Sequence, residues 1–240
     1  MGFPLIGKFI VKLLNKMNYT IIPLDNLDFF ENYDLYFEPS DEILVFDVGA
    51  YHGDWALNFK NKFANAKIFC FEPLKSNFEV LVKKTSKTNN IITINKAISN
   101  ETGQSTFHIT KNKYSSSLLE PKDEFFNGNI ETRLTTVDTI NLLDIIINEK
   151  LDRINLLKMD IQGMEFKVLQ NLDEKITMID LIYIEVNFQP QYQNSETFFE
   201  INSYLESKNF QFLNLTHVRK DRGKAIFTEA LYVNKQKMLT

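Results

Sequence analysis

A single cysteine, Cys70, is all the thiol this chain carries, which rules out an intramolecular disulfide. It sits in an apolar segment, so a buried, unreactive thiol in a reducing compartment is expected. Positive charge is not in excess: 27 Lys and Arg stand against 31 Asp and Glu, for a net charge of −4. A chain with that balance is not built to wrap nucleic acid, and no nucleic-acid partner is expected. No apolar run reaches the eighteen or so residues of a membrane span. Glycine and proline are sparse, at 8 and 6 residues, and neither an internal repeat nor a linker is visible. What is present is an ordinary globular mixture, 44% hydrophobic and 24% charged, with 21 Phe and 9 Tyr to fill a core. At 240 residues one large α/β domain is sufficient.

The informative stretch is Ile43-Leu44-Val45-Phe46-Asp47-Val48-Gly49-Ala50-Tyr51-His52-Gly53. Its apolar start reads as a strand buried on both faces. A small-residue turn follows, and a helical pattern begins at Asp54. In such sheets the ligand binds beyond the carboxyl ends of the strands. A dinucleotide loop needs three glycines spaced G-x-G-x-x-G to receive a pyrophosphate. Only Gly49 and Gly53 are present, and Asp47 just ahead of them would repel a pyrophosphate while suiting an ammonium group. The next apolar strand ends in Phe71-Glu72-Pro73. Glu72 falls roughly 20 residues beyond the loop, where an acid hydrogen-bonds ribose hydroxyls. Together these features favour an adenosyl ligand without a pyrophosphate, such as S-adenosylmethionine.

The rest of the chain alternates strand and helix. Strands are expected over residues 66–71, 91–98, 104–110, 154–161, 179–186, 210–215 and 225–234, and helices over 74–86, 140–147, 164–172 and 196–207. Alternation of this kind gives a mostly parallel sheet with helices on both faces and one antiparallel strand near the edge. Residues 112–129 are polar and Ser-rich, and read as a loop over the site. Residues 1–40 form an entry segment ahead of the main domain at 41–240. Within it, residues 2–17 place Lys8, Lys12 and Lys16 on one face of an otherwise apolar helix. No small-residue cleavage site follows, so a signal peptide is not expected, and Ile6 does not fit a myristoylation signal. The helix either packs on the domain or lies on a membrane surface; a cytoplasmic location, peripheral to a membrane in the second case, is expected.

Four stretches occur in the order found in one enzyme family: the Asp47–Gly53 loop, Phe71-Glu72-Pro73, Thr136-Val137-Asp138, and Leu157-Lys158-Met159-Asp160-Ile161-Gln162-Gly163-Met164-Glu165. Over about residues 41 to 235 the chain resembles FkbM-family methyltransferases. The resemblance implies a Rossmann-like class I fold with a mostly parallel seven-stranded sheet and S-adenosylmethionine as cofactor. It also implies O-methylation, commonly of sugar hydroxyls in polysaccharides, glycolipids or natural products. It places Asp47, Gly49, Ala50, Tyr51 and Gly53 around the methionine end of the cofactor. Glu72 and Pro73 fall at the ribose, and Ala97 and Ser99 border the adenine. Two departures stand out. Gln162 occupies a position where an acid is usual, and Tyr51-His52 replace an Asn-containing form of the loop.

For methyl transfer to an alcohol, the protein must align the acceptor and help remove its proton. Asp160, past the end of the 154–161 strand, is the first choice for that base. Lys158, Glu185 and His52 are further catalytic candidates, with a salt bridge the alternative for Lys158 and packing on the cofactor the alternative for His52. Asp160, Glu185 and Asn187 could hold a hard divalent cation, although paired acids at strand ends also occur in cation-free sites. Glu165 is either a site acid or a first-turn helix acid favoured by the dipole. The basic cluster around Arg219, Lys220, Arg222 and Lys224 is a solvated turn or a clamp for an anionic acceptor. Two other readings remain open at this point: a non-catalytic adenosyl-binding module that supports a partner enzyme, and a nicotinamide oxidoreductase, which the missing third glycine disfavours.

Overall fold

The computed structural model describes Tyr33 and residues 36–111, 114–125, 133–216 and 218–237. The expected helix within residues 1–18, and His217, lie outside the described residues. The chain alternates as the apolar periodicity predicts: β1 (Leu44–Val48), α1 (Asp54–Lys62), β2 (Lys67–Phe71), α2 (Lys75–Thr85) and β3 (Ile91–Ile94). After β4 (Ala97–Ser99), β5 (Gly103–Ile109) and β6 (Arg133–Asn141) come α3 (Leu142–Asn148), β7 (Ile154–Met159), α4 (Glu165–Leu172) and β8 (Ile179–Asn187). The chain closes with α5 (Phe198–Ser207), β9 (Phe210–Leu215), β10 (Arg219–Asp221) and β11 (Lys224–Asn234).

The main sheet has the order β10-β11-β8-β7-β1-β2-β3, with β9 also paired to β11. The strands from β8 to β3 are all parallel to their neighbours. Only β11 runs against the rest, since β8, β9 and β10 each pair with it antiparallel. The single reversed strand near the edge is thus as expected, and the sheet gains one strand, β10, within the basic cluster. The alternation of β1 sets the two faces. Phe46 and Val48 enter one apolar cluster with residues of α3, α4 and α5. Val45 enters the other, with Phe59 and Phe63 from the α1 side and Leu81 of α2. Cys70 is fully buried in that second cluster, as expected of a lone strand thiol. Tyr33 and Phe37, from the expected entry segment, are buried there too, edge-on to Phe59 and Phe63. Among the described residues no helix is long and apolar enough to cross a membrane.

Two expectations are corrected. The strand expected over 91–98 breaks after Ile94, and residues 97–99 leave the main sheet to join a separate three-stranded sheet of order β4-β6-β5. The Asn95 side chain accounts for the break, because its amide donates to the Glu72 and Pro73 carbonyls at 2.8 and 3.0 Å and pins the chain at the bend. The helix expected over 140–147 begins only at Leu142, and residues 133–141 form β6, antiparallel to β5 over seven registered pairs. Their helix-like apolar spacing ends in Asn141, whose side chain accepts from the Leu143 N–H and caps α3 there.

Register across β1 and β7 places Asp47 directly opposite Lys158. Both are buried, and Lys158 Nζ lies 3.0 Å from Asp47 Oδ1 while donating to the Gly49 carbonyl at 3.0 Å. Removing one member of a buried pair strands the other charge at a cost of roughly 3–5 kcal/mol. Lys158→Met is therefore expected to lower unfolding stability by about that amount in urea titrations. The double variant Asp47→Asn/Lys158→Met should recover most of the loss, and additive losses in the cycle would show that the two charges are not coupled.

Candidate active site

The turns after β1, β2 and β7 meet in one cleft, lined by Gly49 and Tyr51, by Phe71 to Leu74, and by Asp160 to Gln162. Its position at the carboxyl ends of parallel strands follows the general rule for open α/β sheets. The β1 turn is held tightly. Gly49 and Ala50 both donate their N–H to the Phe71 carbonyl, at 3.1 and 2.9 Å. Gly49 has φ +82°, and a Cβ there would lie 2.0 Å from the Asp160 carbonyl oxygen. Only glycine allows that approach, since neither backbone can move away. Gly53 serves differently: a Cβ there would meet Leu81 at 2.5 Å, so its small size lets α1 close on α2.

Glu72 is the hinge of the β2 side of the cleft. Its Oε1 accepts from the Leu74 N–H at 3.0 Å and from Asn77 Nδ2 at 3.3 Å, and its Oε2 accepts from the Tyr51 N–H at 3.0 Å. A carboxylate offers about four acceptor directions, so one is left on Oε2 while the residue lines the cleft. Burial pushes its carboxyl up to about 7, against the pull of those three donors and of the Lys158 charge. Beyond Glu72 the wall turns apolar, through Phe71, Leu74, Ile98, Phe107, Leu118 and Met164. Tyr51 and Tyr114 close the rim with ring centroids 4.5 Å apart.

The turn after β7 supplies the acids. Asp160 lines the cleft. Glu165, buried at the start of α4, accepts from the Ile161 and Gly163 N–H groups, each at 2.8 Å. Burial raises its carboxyl to about 7. It holds the turn together and takes the structural part of its two expected readings. Glu185, on neighbouring β8, is driven well above the carboxylate range by burial, and then by the charges of Asp160, Glu165 and Glu229. Gln162, in the left-handed region at φ +59°, spans the two acids: Nε2 donates to Asp160 Oδ1 at 2.7 Å and to Glu185 Oε1 at 3.0 Å.

Of the residues marked in the sequence, Gly49, Tyr51, Glu72, Pro73, Ala97 and Asp160 line the cleft. Asp47 and Lys158 do not. They face each other behind the glycine turn, so the ammonium expected beside Asp47 is supplied from within the chain. Ala50 is in the core behind the turn, and Ser99 is buried with its hydroxyl donating to Asn100 Oδ1. His52 is stacked on Tyr51 at 3.7 Å, outside the cleft lining. Glu185 reaches the site through Gln162. Asn187 accepts from Gln191 Nε2, and among the described residues no three acids, histidines or cysteines are grouped so as to hold a metal. Sequence reasoning missed Asn77, which no local pattern marks. It also left Gln162 without a role, because its partners are brought together only by the sheet.

The chain matches the Methyltransferase FkbM domain over residues 47–212. Among curated proteins it is 28% identical to methyltransferase sdnD of Sordaria araneosa over 60% of this chain and 65% of that protein. It is 27% identical to the 2-O-methyltransferase NoeI of Sinorhizobium fredii, over 62% and 65% respectively. With the hexuronic acid methyltransferase AglP of Haloferax volcanii it shares 21% identity over 62% of this chain and 58% of that one. The chain thus spans less than two thirds of the length of each. Its fold is shared with the crystal structure of methyltransferase FkbM from Methylobacillus flagellatus KT, at TM-score 0.53 and 20% identity over 85% of this chain and 46% of that chain. Methanococcus jannaschii fibrillarin has the same fold, at TM-score 0.51 and 10% identity over 83% and 69%. With more than half its length matched to the domain, and with a class I methyltransferase sheet, the chain belongs to the FkbM methyltransferase family.

Proposed function

We propose that this protein is an S-adenosylmethionine-dependent O-methyltransferase that acts on a hydroxyl of a sugar. The observation that carries the reading is the pairing, in one cleft, of Glu72 with an unused acceptor direction and Asp160 across from it at the end of β7. The chain's residues fit the cofactor. Glu72 would accept from the ribose diol, and the apolar wall from Ile98 to Met164 suits a purine. When bound, S-adenosylmethionine supplies a methyl group already activated by its sulfonium.

The protein's share is alignment and proton removal. Asp160 has one oxygen tied to Gln162, and its other oxygen carries no hydrogen bond among the described residues. That oxygen takes the acceptor's proton as the new O–C bond forms. The bound cofactor would supply the methyl carbon and keep the electron pair of the broken bond on sulfur, so no further reactant would be needed. The names of two relatives, one a 2-O-methyltransferase and one acting on hexuronic acid, support oxygen as the atom methylated and a sugar as its carrier.

Isothermal titration should show saturable binding of S-adenosylhomocysteine and none of NAD; the reverse result would replace this reading with an oxidoreductase. Against a panel of neutral and acidic sugars, Asp160→Asn is expected to lower turnover by about 10²- to 10⁴-fold, the usual worth of a general base. Its affinity for S-adenosylhomocysteine should stay nearly unchanged. Turnover at the parental rate in that variant would remove Asp160 from the mechanism.

Ribose hydroxyls donate to the ionised form of Glu72, whose carboxyl titrates at about 7. Binding therefore favours loss of its proton, and affinity should rise with pH. Between pH 6 and 8 the ionised fraction increases roughly tenfold for such a group. The dissociation constant of S-adenosylhomocysteine is expected to fall by about that factor in titrations across this window, and to be weak and flat in Glu72→Gln. An equally steep pH dependence in Glu72→Gln would assign the titration to another group.

A further inference from the structure

Asp160 and Glu185 come within reach of one side chain where β7 and β8 end. Asp160, Glu165 and Glu229 all bear electrostatically on Glu185. Lys158 is committed to Asp47 and to the Gly49 carbonyl. Neighbouring carboxylates of this kind are often bridged by a metal ion, but among the described residues no three acids, histidines or cysteines are grouped so as to hold one. The space between Asp160 and Glu185 is filled instead by an amide. Gln162 Nε2 has two hydrogens and two carboxyl partners, at 2.7 and 3.0 Å. The Tyr192 hydroxyl lies 2.6 Å from Gln162 Oε1 and 3.0 Å from the Ser115 carbonyl, and its one proton is shared between these two acceptors. The shorter contact goes to the amide oxygen, on the side away from the two acids. The backbone of the turn is fixed as well, because the Ser117 hydroxyl donates to the Gln162 carbonyl at 2.7 Å. Gly163 is packed against Ser195, Tyr192 and Leu119, with a Cβ at that position within 3.1–3.3 Å of each.

We propose that Gln162 takes the place of a cation: its side-chain amide joins Asp160 to Glu185 without a metal and sets the orientation of the Asp160 carboxyl. It is a positioning residue, acting through Asp160. The turn that carries it is held by the Ser117 hydroxyl and by packing at Gly163, so the chemistry of the side chain at this point decides what the two acids bind. An acid of the same length, at the same point, would complete a three-carboxylate set of hard oxygen donors, which is the donor type that Mg²⁺ and Mn²⁺ select. The inference uses the same cleft as the proposed methyl transfer, and it rests on that reading only for the role of Asp160.

The test is a Mn²⁺ titration of the full chain by calorimetry, with thermal unfolding recorded with and without millimolar Mn²⁺. The parent is expected to show no saturable binding and no shift in Tm. Gln162→Glu should unfold at lower temperature without metal, bind one equivalent of Mn²⁺ at least tenfold more tightly than the parent, and recover its Tm when Mn²⁺ is added. Gln162→Leu should lose stability and not recover, and Gln162→Glu/Glu185→Gln should lose the gained affinity. A purely structural glutamine would instead leave both single variants unstable and indifferent to Mn²⁺, which would overturn the proposal. So would a parent that binds Mn²⁺ and loses it on Glu185→Gln. If Gln162→Glu does not fold, Gln162→Asp carries the same expectation and the same failure. S-adenosylhomocysteine titrated into the parent separates the two readings: its failure to bind would sink the methyltransferase proposal and leave the Mn²⁺ outcome standing.

Discussion

The backbone of the β1 turn is pressed against the backbone of the β7 turn, and the geometry of the cleft follows from that contact. Gly49 has no room for a Cβ beside the Asp160 carbonyl. The Asp160 N–H donates to the Val48 carbonyl at 3.0 Å, and Lys158 reaches across to the Gly49 carbonyl from the same strand. Two turns from distant parts of the sequence therefore behave as one rigid piece. Because β2 is anchored to the same turn through the Phe71 carbonyl and the Tyr51–Glu72 bond, the cofactor side and the acid side of the cleft cannot drift apart. Placement of this accuracy is what positional catalysis needs, since small displacements of reacting groups are costly.

The cleft also shows how a fold tolerates several acids in a confined space. Three different solutions are used. Glu72 and Glu165 spend their oxygens on backbone N–H groups, which offsets part of the cost of burial. Glu185 has no such donors, and burial and the neighbouring acids raise its carboxyl well above the usual range. Asp160 stays at the cleft surface, steadied on one oxygen by a neutral amide. Each solution leaves a different setting behind: Glu72 with one acceptor direction open, Glu165 as a clasp on its own turn, Glu185 buried behind an amide and Asp160 with one oxygen free of hydrogen bonds among the described residues. Asp47 is a fourth case. It is neutralised outright by Lys158, which is why it belongs to the scaffold and not to the cleft.

Much of the architecture was legible in the chain because its parallel strands are continuous apolar runs and its helices show apolar spacing. The succession of strands and helices along the chain, the reversed strand near the edge and the glycine turn after β1 were all readable in this way. The errors have local causes. Residues 91–98 look like one strand because nothing in their polarity reveals that Asn95 is bonded back to the Glu72 and Pro73 carbonyls. Residues 133–141 alternate only weakly, and their strand identity comes from the partner β5, thirty residues earlier. A pairing partner at that distance leaves no trace in the strand's own composition.

The sequence by itself determined the fold class, the turns that line the cleft at the carboxyl ends of β1 and β2, and the acids available there, because backbone propensity and apolar period act over a few residues at a time. Only the tertiary structure decided which acids face the cleft. Register put Asp47 opposite Lys158 and hid both, while the meeting of β7 and β8 turned Gln162 into the link between Asp160 and Glu185. Charges that pair across strands are set by register and burial, and neither is encoded in the neighbours of a residue along the chain.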